Sequence, residues 1–204
     1  MLAMELIPAI RLARSTGESV ELVSALVNVA APSKPLSIQR LSFLDAVNHF
    51  SGGLNYESVY MKAKSDYVLS PLSHSAIAAL LTAVAQAPVG GLAVLCDAYG
   101  GAIADPAATD TAFPRRAGTQ YCIQYFSSWL DPADTPSHLA TVANVYAAMR
   151  PYLPGAAYVN YCDLDLQNFA DAYWSANLPR LSTVKKAYDP DNLFHHAQSV
   201  PVGP

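Results

Sequence analysis

The run AYVNYCDLDL, residues 157–166, gathers the side chains most suited to proton chemistry: Tyr158, Asn160, Tyr161, Asp163 and Asp165. A tyrosine hydroxyl accepts a proton only when a neighbouring positive charge or hydrogen-bond donors lower its pKa from about 10. Lys62, Lys64 and Arg180 are the candidate neighbours. A plainer reading makes the run a half-buried edge strand leading into a helix. Alternation then puts Tyr158 and Asn160 on one face and Tyr161 on the other, with Asp163 and Asp165 as helix caps.

A second run, TQYCIQYFSSW (119–129), has the period of a strand. It places Tyr121, Ile123, Tyr125 and Trp129 on one side and Gln120, Cys122, Gln124 and Phe126 on the other. The second side is polar for a core face. It is either a solvent face or a pocket wall, where a few placed polar groups orient a mostly apolar ligand.

No other constellation competes. The sequence has no phosphate-binding Gly-x-x-x-x-Gly-Lys or Gly-x-Gly-x-x-Gly, no Gly-x-Ser-x-Gly and no His-Glu-x-x-His. His49, His74, His138, His195 and His196 are dispersed and read as solvated or capping groups. Cys96, Cys122 and Cys162 lack metal-ligand spacing, so neither a metal site nor a disulfide framework is expected.

The elements that must position these residues follow from periodicity. Residues 19–31 form a helix stopped by Pro32, and Ser42 caps a short helix carrying Phe43, Val47 and Phe50, ended by Gly52 and Gly53. SVYMKAKSDYVL (58–69) alternates as a strand whose Lys62, Lys64 and Asp66 side is wet. A helix from about Ser73 turns Ile77, Leu80, Leu81 and Val84 inward and stops at Pro88. GLAVLCDAYGG (91–101) is a buried strand closed by a tight Gly100-Gly101 bend. Thr135 caps a helix opened by Pro136, with Leu139, Val142, Tyr146 and Met149 on its apolar face and its end near Pro151. A last helix spans 177–188, with Leu181, Val184 and Tyr188 on one face. The expected class is α+β: a largely antiparallel sheet backed by helices, with a helical C-terminal segment.

Composition narrows the function. At 204 residues the chain has room for one well-buried core. With 52% hydrophobic and 14% charged residues it is not disordered, and some of its apolar surface needs a partner. A net charge of −4 provides no field for nucleic acid. Every apolar run is broken short of the roughly 18 residues that cross a bilayer, so a soluble protein without a membrane partner is expected. The N-terminal run, with Glu5 and Pro8 inside its apolar part, makes a poor secretion signal, and the cytoplasm is the expected location.

The blocks YMKAKSDYVLSPLS, LCDAYGGAI, TAFPRRAGTQYCIQYFSSW, YVNYCDLDL and YWSANLPRLSTVKKAYDPDNLFHHAQSVP stand in order from about Leu41 to Pro201. In order and spacing they resemble the C-terminal half of berberine bridge enzyme-like FAD-linked oxidases, especially bacterial members. The resemblance implies a flavoenzyme in which a natural-product or sugar-like alcohol or amine gives a hydride to the flavin while a Tyr or Glu assists proton removal. It divides the chain into a partial substrate-binding domain, 1–155, and a berberine-type C-terminal segment, 156–204. It makes Tyr158 and Tyr161 catalytic candidates. Lys62, Gln120, Cys122 and Gln124 become substrate contacts, Cys122 standing where many relatives have Lys. Asn160, Tyr161 and Asn177 become contacts to FAD.

Family members are about twice this length, and their N-terminal flavin-binding half has no counterpart in these blocks. The resemblance therefore implies a truncated or split member, with a separate FAD-binding chain or a homo-oligomeric contact covering the exposed underside. The alternatives are a flavin-free cyclase, isomerase or dehydratase, and a noncatalytic ligand carrier.

Overall fold

The computed structural model describes residues 41–50, 58–88 and 90–203. The chain divides into two compact units, residues 1–57 and 58–204. In the first, α1 (Phe43–Phe50) is capped as its sequence predicts: the Ser42 hydroxyl accepts the Asp45 N–H at 3.1 Å and donates to the Asp45 carboxylate at 2.6 Å. The expected helix at 19–31 and the Gly52-Gly53 stop lie outside the described residues.

The second unit is built on three strands, β1 (Tyr60–Val68), β2 (Ala93–Ala98) and β3 (Tyr121–Trp129), in the order β1-β3-β2 with both pairings antiparallel. Helices α2 (His74–Ala85) and α3 (Thr135–Met149) back one face. The core there joins Val68, Ile123 and Tyr125 to Ala76, Val142, Val145 and Met149. The segment after α3 carries α4 (Phe169–Trp174) and α5 (Leu178–Tyr188) around a smaller core of Ala157, Ala172, Tyr173 and Trp174. The α+β class and the antiparallel sheet agree with the sequence.

Several details differ. Helix α2 is apolar nearly all round, so period alone cannot select its inner face. Ala76, Leu80, Ala83 and Val84 pack inward, while Ile77 and Leu81 are exposed. The Thr135 hydroxyl accepts the Trp129 indole N–H at 2.8 Å instead of capping α3. Strand β2 is exposed over most of its length, because among the described residues it lies at the edge of the three-stranded order and pairs only with β3.

The side of β1 expected to be wet is largely interior. Lys64 is 7% exposed and Asp66 fully buried, both on the helix-backed face. Each has acquired a partner, as buried charge requires. Asp66 pairs with Arg150 at the end of α3 and accepts the Tyr125 hydroxyl at 3.1 Å. Lys64 meets Asp163 at 2.5 Å and Asp165 at 3.1 Å, and Lys62 meets the same two at 2.6 and 2.8 Å.

Residues 157–166 are not a strand. The Tyr161 N–H donates to the Tyr158 carbonyl at 2.9 Å and the Leu166 N–H to the Asp163 carbonyl at 3.0 Å, closing two consecutive turns. Tyr158 and Tyr161 consequently share a side, with ring centroids 4.9 Å apart. Asp163 and Asp165 do not cap α4, which begins after Asn168 without a side-chain cap. They are the anionic half of the four-charge cluster.

A buried tyrosine secures that cluster. The Tyr173 hydroxyl accepts the Asp163 N–H at 3.0 Å and donates to Gln198 Oε1 at 3.0 Å, while Gln198 Nε2 donates to the Asp163 carbonyl at 2.7 Å. Tyr173→Phe leaves a buried N–H and a buried amide oxygen short of a partner. A loss of about 2 kcal/mol in denaturant-measured stability is expected.

Candidate functional site

The site lies on the sheet face that the helices leave open. Antiparallel register aligns Tyr67 of β1, Cys122 of β3 and Asp97 of β2 in one row, and Ser65, Gln124 and Leu95 in the next. Paired residues point to the same side. Tyr67 and Cys122 pack there with Tyr99, Phe113, Tyr158 and Tyr161. Tyr67 meets Tyr99 edge-on at 5.7 Å and Tyr158 at 6.4 Å, and Phe113 meets Tyr158 at 6.1 Å. Such edge-to-face contacts fix ring orientation. Gly101, with φ of +54°, makes the turn after β2, a conformation that favours glycine.

The Tyr-x-Asn-Tyr turn is tied to the sheet at two points. The Tyr158 N–H donates to Ser65 Oγ at 2.9 Å. On the far side of the row, the Tyr161 hydroxyl donates to Asp97 Oδ2 at 3.4 Å. Between them Asn160 Nδ2 donates to the Tyr158 hydroxyl at 2.8 Å, which leaves Asn160 Oδ1 as an outward acceptor.

The electrostatics run against a free tyrosinate. Burial, followed by the Asp97 carboxylate, pushes the Tyr161 hydroxyl up to about 12. Burial, again followed by Asp97, pushes the Cys122 thiol up to about 12, so Cys122 is a neutral wall residue and no nucleophile. Burial also raises Tyr67, whose hydroxyl has no hydrogen-bond partner of ordinary geometry among the described residues.

Of the residues singled out by sequence, the structure brings together Tyr158, Asn160, Tyr161 and Cys122. Gln124 is buried on the same face, one row along. Gln120 is exposed just before β3, where its backbone bonds to Val68 and Tyr99. Lys62 is on the opposite face, its ammonium held by the two aspartates. Asn177 is buried with its amide donating to the Ala108 and Thr111 carbonyls, so it holds the 104–118 loop. Arg180 likewise donates to the Thr109 carbonyl.

Two residues escaped the sequence reading. Asp97 alternates with Cys96 in an apolar strand, a local signal, but only the register reveals that it faces Tyr161. Arg115 stands over the Tyr67 ring at 5.4 Å, and its burial holds the guanidinium below its usual pKa. Among the described residues no group of three metal-binding side chains assembles, and no helix is long and apolar enough to cross a membrane.

Comparison with known proteins meets this geometry at the same segment. The family model described as berberine and berberine like matches residues 157–201. Cannabidiolic acid synthase-like 1 of Cannabis sativa is 32% identical over 212 residues, covering 86% of this chain and 39% of its own. The solved structure of a berberine bridge enzyme-like protein of Physcomitrella patens superposes with a TM-score of 0.81 at 27% identity, over 94% of this chain and 43% of the other. A grass pollen allergen with glucose dehydrogenase activity, Phl p 4, superposes with a TM-score of 0.64 at 30% identity, over 69% of this chain and 32% of its own. The chain spans about three to four tenths of the length of the curated relatives it matches. Sequence and fold thus agree, and the chain belongs to the berberine bridge enzyme-like family, matching the C-terminal part of its longer members.

Proposed function

We propose that this chain supplies the substrate-facing sheet of a berberine bridge enzyme-like, FAD-linked oxidoreductase that oxidises a small natural-product or sugar-like alcohol. The observation that carries the proposal is the Tyr161–Asp97 contact. Oxidising an alcohol requires removal of the O–H proton as the C–H hydride leaves. Tyr161 is too weak an acid to wait as tyrosinate. It can, however, accept the substrate proton on its oxygen while its own proton passes to the Asp97 carboxylate, so that no tyrosinate forms. Bound FAD would accept the hydride.

The residues present fit part of that cofactor. The Tyr158–Tyr161 turn, with Asn160 Oδ1 as an outward acceptor, suits the edge of a flavin ring. Among the described residues no glycine-rich turn opens a helix toward a diphosphate. The nucleotide is thus held by structure outside the described residues, and we propose a separate FAD-binding chain as its carrier. Leu164, Tyr188, Leu193 and Phe194, all exposed on the C-terminal segment, support an extensive contact of this kind. Cytoplasmic residence belongs to the same proposal, supported by three cysteines that are all free.

The test is a visible absorbance spectrum and solution mass of the purified chain, alone and with a flavin-binding partner, followed by turnover on a panel of sugars and aromatic alcohols. Tyr161→Phe and Asp97→Asn are each expected to lower turnover about a hundredfold. Wild-type turnover in both variants would sink the proton relay. A colourless chain of defined oligomeric mass, binding ligand without oxidising it, would favour the flavin-free readings.

A further inference from the structure

The four-charge cluster lies across the sheet from the site, yet it is chemically costly for a merely structural contact. A buried ion pair returns little net stability, because desolvation consumes most of the Coulomb energy, and an apolar pair of similar volume often does as well. In some folds such a pair instead selects a single register, since any other alignment strands a charge. Here the register in question is that of the Tyr158–Tyr161 turn.

The geometry points to Lys64 and Asp163 as positioning residues for that turn, a role that rests on the proposed use of Tyr161. Lys64 and Ser65 are neighbours on β1 and point to opposite faces. Ser65 holds the Tyr158 N–H on the open face at 2.9 Å. Lys64 holds Asp163, two residues beyond Tyr161, on the helix-backed face at 2.5 Å. Among the described residues β1 is an edge strand, so the turn reaches both of its faces there and is gripped from both sides.

Asp163 is itself immobilised through both its backbone polar groups, by Tyr173 and Gln198. Lys64 is immobilised over the Tyr146 ring of α3, 5.0 Å from its centroid. The chain from Tyr161 to Asp163 is therefore short and tied at its far end. Slippage there would carry the Tyr161 hydroxyl out of reach of Asp97, whose contact at 3.4 Å has no slack.

The test is amide hydrogen exchange on the full-length chain. In the Lys64→Met/Asp163→Leu double variant, which removes both charges and so leaves none stranded by the substitution, protection of the Tyr158 and Tyr161 amides is expected to fall at least about tenfold. The β1–β3 ladder should stay unchanged. The Tyr161 ionisation midpoint, followed by NMR with Tyr161→Phe as the assignment control, should move down from about 12 toward the ordinary value near 10. Lys64→Arg, which keeps the charge opposite Asp163, should retain both signatures. A folded double variant with wild-type turn protection and an unmoved Tyr161 midpoint overturns the positioning role. Failure of the underlying reading looks different: turn protection is lost in the double variant, while Tyr161→Phe turns substrate over like the wild type.

Discussion

Lys64→Met alone is expected to lower the unfolding free energy by about 3 kcal/mol, and the double variant with Asp163→Leu to recover most of that loss. The single substitution removes one partner of a buried pair and leaves a carboxylate that is 5% exposed. Breaking such a pair costs roughly 3–5 kcal/mol. The lower end applies because Lys62 remains 2.6 Å from Asp163. Lys62 is already committed: burial pulls its ammonium down, and the hydrogen bonds and charges of Asp163 and Asp165 outweigh that and leave it above its usual pKa. Lys62→Met should cost less than Lys64→Met, because its side chain is more exposed and Asp163 keeps the nearer ammonium. Urea titrations of the two single variants and the double variant give the coupling directly. Equal losses in Lys64→Met and the double variant would contradict the buried-pair account.

The second expected result concerns pH. Asp66 has its carboxyl raised to about 6, chiefly because it is fully buried, with Arg150 and the Tyr125 hydroxyl opposing that rise. A carboxyl with a raised folded-state pKa binds its proton more tightly in the folded chain than in the unfolded one. Its stabilising contribution is therefore complete below about pH 4 and is lost as pH rises through about 6. A rise from the ordinary carboxylate range to about 6 corresponds to about 3 kcal/mol.

Asp165 acts in the other direction. Hydrogen bonds from Lys62 and Lys64 hold it below its usual pKa, so its contribution is present above about pH 4 and disappears below. The two windows adjoin without overlapping. Wild-type stability measured against Asp66→Asn should fall by about 3 kcal/mol between pH 4 and pH 6 and stay level to pH 8. A constant difference across that range would mean that Arg150 neutralises the burial penalty completely.

The physical limits of sequence reading show in particular residues. Val142, Met149, Ile123 and Tyr125 were legible as core because helix and strand periods report which face is apolar. The Ser42 cap was legible because a cap is a contact within three residues. Thr135 was misread because its hydroxyl found a tertiary partner, Trp129, that local pattern cannot announce. The Lys62–Lys64 side of β1 was misread for the same reason: polarity alone does not separate a wet face from a paired one. Asp97 went unnoticed because its importance exists only relative to Tyr161, sixty-four positions away.

The sequence by itself determined the α+β class, the antiparallel sheet and the family resemblance, and it singled out the Tyr-x-Asn-Tyr run as the candidate site. All of these depend on short-range periods and on motifs whose spacing is local. Only the tertiary structure decided that this run is a turn with both tyrosines on one side, that Asp97 faces Tyr161, and that Lys62 and Lys64 pair with Asp163 and Asp165. Those are contacts between residues about a hundred or sixty-four positions apart, selected by strand register and by the need of each buried charge for a partner.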